Sequence, residues 1–135
     1  MRIGQIAERS GVHAETVRYY ERIGLVGAPR RTGAGYRDYD GEHLKRLTMI
    51  RHSRELGFSI AEIRILLRLA NRRGGSCEPV KALAQRQSVI VKEKIVTLRR
   101  LSRELDRLVR ICSGENLNRC RIIEALVANE SPSRR

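Results

Sequence analysis

Apolar positions recur at helical rather than alternating spacing along almost the whole chain. Ile3, Ile6 and Ala7 open the pattern, Ser10-Gly11 interrupts it, and a second helical stretch begins near His13 or Ala14 and runs to Ile23-Gly24. Two short helices about a tight glycine turn predict a helix-turn-helix. In Gly27–Tyr39, Pro29 and the glycines break the helix, and its ends suit a short hairpin around a basic, glycine-rich tip. Asp40 is placed to cap a helix through Leu44, Leu47 and Ile50 to Leu56, which Gly57 ends. Ser59 with Glu62 three residues later is a capping-box signature for a further helix through Ile63, Leu66, Leu67 and Leu69.

After Asn71–Ser76, Pro79 suits a first helical turn, and no Gly or Pro then appears until Gly114. Val80, Ala84, Gln87, Val91, Lys94, Leu98, Leu101, Leu105, Leu108 and Cys112 follow at alternating steps of four and three, the seam of a coiled coil. Little chain remains to cover that seam, so its expected partner is a second copy, with Gln87 and Lys94 as polar positions that fix register. The expected organisation is a winged helix-turn-helix head over residues 1–70, a linker 71–78 and a dimerisation helix 79–112. A metal-binding loop and short helix 113–128 and a frayed tail 129–135 complete it. The fold class is mainly α.

Charge narrows the partner. Lys and Arg number 28 against 15 acids in 135 residues, a net +13, split as +7 over residues 1–75 and +6 beyond. The charge therefore belongs to ordered segments and points to a polyanion. With no Trp and one Phe, a stacking platform for single strands is poorly supplied, which favours duplex DNA. Thr16, Arg18, Tyr19 and Tyr20 on the second helix are the candidates to reach bases and phosphates, with Arg22 one turn on. Arg31, Tyr36 and Arg37 of the wing join them, and Arg51 and Arg54 are weaker candidates for phosphate. No apolar run is long enough to span a membrane and no secretory signal opens the chain, so a cytoplasmic location is expected. No phosphate loop or hydrolase motif appears, and Cys77 has no triad partner nearby in sequence, which argues against an enzyme.

The three cysteines do not form a disulfide framework in a reducing compartment. Taken singly each suits a packed small residue. Their placement favours another use: Cys77 stands just before the long helix, Cys112 at its far end roughly 50 Å away at helical rise, and Cys120 after a short loop. An antiparallel pair of helices brings Cys77 of one chain to Cys112 of the other. Three thiols without His suit soft metals, and Glu115 or water would have to complete a tetrahedral zinc site.

As a set, Ile3–Ala7, Gly11-Val12, Glu15–Leu25, Gly35–Tyr39, His43–Leu47 and Leu56–Ile63 resemble the mercury-resistance regulator (MerR) family of bacterial transcription activators. The resemblance implies a winged helix-turn-helix, an antiparallel coiled-coil homodimer, and a palindromic operator inside a promoter with an over-long spacer. It further implies that bound metal twists and kinks this DNA so that RNA polymerase uses both promoter elements. Cys112 and Cys120 match the family's loop cysteines, and Cys77 matches the position at which sensors of divalent metals carry Cys. Hg(II) is therefore expected first, then Pb(II) and Cd(II). Zn(II) follows, since the loop lacks the additional Cys or His of zinc sensors. The short loop, closer to the copper type, leaves a two-coordinate Cu(I), Ag(I) or Au(I) site on Cys112 and Cys120 as the alternative. From another class, a metal-independent architectural DNA binder would use its cysteines only for packing.

Overall fold

The structure, a computed structural model, describes residues 1–114 and 116–128. Glu115 and the expected tail 129–135 lie outside them. Six α-helices and a two-stranded ribbon succeed one another among the described residues. They are α1 (Ile3–Ser10), α2 (Ala14–Arg22), β1 (Arg30–Arg31), β2 (Arg37–Asp38), α3 (Gly41–Glu55), α4 (Ile60–Ala70), α5 (Glu78–Ile111) and α6 (Arg121–Ala128), with a 3-10 turn at Leu117–Arg119. Residues 1–87 form one compact unit and the chain from Ser88 a second.

In the first unit α1 packs on α2 and α3, and α3 on α4. Ile6, Val17, Leu25, Val26, Leu47, Ile50 and Ile63 are almost fully buried there, with Tyr39 and Phe58 closing the cluster. The α1–α2 turn is held from both sides. Gly11 adopts φ +75° and donates to the Ala7 carbonyl, and the buried Ser10 hydroxyl accepts from Val12 N. Arg51 lies directly over this turn, its Nε donating to the Ser10 carbonyl at 2.8 Å, so a Cβ at Gly11 would collide with it. The expected caps form. Asp40 accepts from His43 N, and Ser59 and Glu62 bond reciprocally, satisfying N–H groups that the first turns of α3 and α4 leave open. The strands pair antiparallel, Arg30 with Asp38 and Arg31 with Arg37, as a small wing.

One seam position behaves differently from expectation. Gln87 is 7% exposed, and its Nε2 donates to the Leu56 carbonyl at 2.9 Å. Leu83 beside it enters the core of the head. The carbonyl left open at the α3–α4 turn thus captures the amide that spacing alone assigns to the seam. Farther along, Leu98, Leu101 and Leu105 are exposed and Leu108 is buried, so a row of seam residues stands uncovered.

Candidate nucleic-acid interface and cysteine sites

The buried face of α2 is set by Val17 and Tyr20, which the helical period carries into the core. Tyr20 is 7% exposed and its ring packs as core, so of the expected DNA-facing set it can offer only its hydroxyl. Tyr19, one residue earlier and 44% exposed, points away from that core. Arg22 lies over its ring at 5.7 Å, a cation–π contact that orients both. Thr16 is half-buried, and Arg18 pairs with Glu15 one turn back at 3.0 Å, an exposed pair easily exchanged for another anion.

The wing is tied to α2 through a single carboxylate. Glu21 accepts from Arg37 Nε at 3.2 Å and from the Tyr39 hydroxyl. Burial and the Glu21 carboxylate push the Tyr39 phenol well above its usual range, so it stays a donor. Arg37 therefore ties the wing to α2. At the tip, Arg31 donates to the Gly35 carbonyl at 3.0 Å, which closes the turn, and Tyr36 is 54% exposed with Arg2 stacked over its ring at 4.0 Å. The wing base is clamped by His43, whose ring nitrogens meet Asp40 Oδ1 and the Gly27 carbonyl at 2.8 and 3.0 Å. Glu21 and Arg2 escape sequence reasoning, because neither periodicity nor spacing relates them to residues in the wing. Arg51 and Arg54, the weaker candidates for phosphate, each donate to a backbone carbonyl, those of Ser10 and Phe58. Turn carbonyls outside regular helix bonding draw them inward.

All three cysteines are free; Cys77 and Cys112 are exposed and Cys120 is half-exposed. Cys77 shares a shallow cleft with Leu69, Arg72 and Ser76, and its carbonyl accepts from Lys81 N as α5 begins. Cys112 follows the last turn of α5, and the Cys120 carbonyl accepts from Glu124 N at the start of α6. Each thiol is thus held at a helix end. Among the described residues no three His, Cys, Asp or Glu side chains gather into a group within one chain. The donor set itself, three unpaired sulfurs, fits a soft metal ion.

Residues 1–70 match the model of the MerR HTH family regulatory proteins, and residues 44–108 that of the MerR DNA-binding region. The chain belongs to the MerR family. It is a DNA-binding transcriptional regulator of winged helix-turn-helix architecture, not an enzyme. Among MerR-family relatives it is similar to the HTH-type transcriptional regulator HmrR of Rhizobium leguminosarum bv. viciae, 41% identical over 93% of this chain and 97% of that one. It is also 38% identical to the mercuric resistance operon regulatory protein of Bacillus cereus, over 93% and 96% of the two chains. The solved structure of PbrR691 from Ralstonia metallidurans CH34, in complex with lead(II), aligns with a TM-score of 0.78 at 38% identity, covering 93% of this chain and 98% of that one. No helix among the described residues of this MerR-family chain is long and apolar enough to cross a membrane.

Proposed function

We propose that the protein is a metal-responsive regulator, acting in the cytoplasm as a homodimer on a palindromic promoter operator. The observation that carries the metal reading is the set of three free cysteines, each at a helix end and none in the core. Cys77 of one subunit joins Cys112 and Cys120 of the other in a three-thiolate site, with the exposed Leu98, Leu101 and Leu105 of α5 as part of the antiparallel seam. Thiolates without imidazole favour soft divalent ions, Hg(II) before Pb(II) and Cd(II), then Zn(II). Relatives named for mercuric resistance and crystallised with lead(II) support this range.

Tyr19, Arg18 and Thr16 of α2, with Arg31, Tyr36 and Arg37 of the wing, hold promoter DNA. The wing supplies phosphate contacts, and the start of α2 enters the major groove. Cys77 of one subunit and Cys112 and Cys120 of the other would hold the metal, whose thiolate bonds would tie the head of one to the helix end of the other. That changes how the two heads sit on the operator, distorts the DNA, and lets RNA polymerase engage the promoter.

Competition of Hg(II), Pb(II), Cd(II), Zn(II) and Cu(I) for the reduced dimer, read as promoter transcription, tests metal identity and switching together. Hg(II) is expected to induce at the lowest concentration and Cys112→Ser to abolish the response; full response from that variant sinks the sensing role. The short Cys112–Cys120 loop favours one second reading, a monovalent sensor. Induction retained by Cys77→Ser, with Cu(I), Ag(I) or Au(I) as inducers, would replace the three-thiolate site by that pair.

A further inference from the structure

A cleft of about 200 Å³ on the first unit is lined by Gly24, Leu25, Arg46, Arg64, Leu67 and Arg68, three guanidinium groups and no acid. Arg46 comes from α3, Arg64 and Arg68 from α4, and Gly24-Leu25 from the chain just past the reading helix. Two of the three arginines are fixed by backbone. Arg46 Nε donates to the Leu25 carbonyl at 3.1 Å, and Arg64 donates to the Ile23 carbonyl. Those bonds hold the chain at and just past the C-cap of α2, and each uses one of five N–H groups on its guanidinium. Among the described residues Arg68 makes no such bond, and no carboxylate pairs with any of the three within 4.0 Å. Anchoring that segment explains two cations and leaves the third without a task. Bringing three like charges to one cleft costs electrostatic energy that an anion between them would reverse.

We propose that this cleft binds a phosphoryl oxyanion, held by the remaining N–H groups of Arg46 and Arg64 and by Arg68. The planar fork of each guanidinium matches a tetrahedral oxyanion in two-point contacts, and two of the three forks are held in place before any ligand arrives. Leu25 and Leu67 supply an apolar floor that strengthens those contacts by limiting water. The anion's source is either a backbone phosphate of bound DNA or a free phosphate group. An occupant here touches the residues that anchor the segment after α2, so it would steady that segment. The proposal is independent of which metal the cysteines take.

The test uses the full-length reduced protein and Arg68→Ala, which removes the one arginine without a backbone partner and is expected to leave the melting temperature unchanged. Inorganic phosphate, titrated at constant ionic strength against chloride, should shift the Nε–Hε resonances of Arg46 and Arg64 saturably in the wild type and not in the variant. No saturable shift, or the same shift in Arg68→Ala, overturns the proposal. Should the variant fail to fold, Arg68→Gln replaces it under the same criterion. Operator binding then separates the sources. If DNA supplies the phosphate, the slope of log affinity against log salt flattens by about two for the dimer, one contact per head. If a free anion does, the slope is unchanged and phosphate still binds the DNA-bound dimer.

Discussion

Neighbouring tyrosines on α2 carry opposite duties. The Tyr20 ring belongs to the core, so Tyr20→Ala should cost about 3 kcal/mol of stability in chemical denaturation, while Tyr20→Phe keeps the ring and should leave stability within about 1 kcal/mol. Tyr19→Phe should keep stability and weaken operator binding by about 1 kcal/mol, roughly fivefold, in a titration by fluorescence anisotropy. At the start of α4, Ser59→Ala should lower stability by about 1 kcal/mol, since the Glu62 amide loses its acceptor. The Ser59 backbone N–H and, secondarily, its side chain hold the Glu62 carboxyl below its ordinary value of 4.5. A carboxylate with a lowered folded-state pKa adds stability above the unfolded value and loses it as pH falls through the folded one. Stability should therefore decline as pH drops below about 4.5 and decline less steeply in Glu62→Gln, as urea midpoints across that range would show.

At the scale of elements, the α3–α4 turn is the most demanding join. Gly57 holds φ +90°, and a Cβ there would meet the Gln87 amide at 2.5 Å. Gly57→Ala should destabilise the head by about 2 kcal/mol through backbone strain and displacement of Gln87, measured as a lower denaturation midpoint. Gln87→Ala should cost about 1 kcal/mol for the lost bond to Leu56. Helix boundaries were legible because their signals are local: Gly11, Asp40, Gly57, Ser59 and Pro79 each act within one turn of their own position. Gln87 was misread for the opposite reason. Its partner is 31 residues away, and a seam pattern assigns every fourth or third residue to one face regardless of what else that face meets.

Across the whole molecule, the cysteines lie outside the core at helix ends, and one chain does not bring them together among the described residues. What spacing could not reveal was how many donors each arginine keeps for a partner. Formal charge is counted alike for all, yet Arg46, Arg51, Arg54 and Arg64 each commit at least one N–H group to a backbone carbonyl and retain others. Chelating any bound metal from the purified dimer should return promoter transcription to its uninduced level without releasing operator DNA, checked by transcription and mobility shift on the same sample. The carboxylate of Glu21, which holds both Arg37 and Tyr39, has a consequence for engineering. A chimera that transplants α2 alone into another head would arrive with its acid unpaired and its new wing unmoored. To move α2 between scaffolds with its bonds to the wing intact, residues 14–39 have to be moved as one cassette.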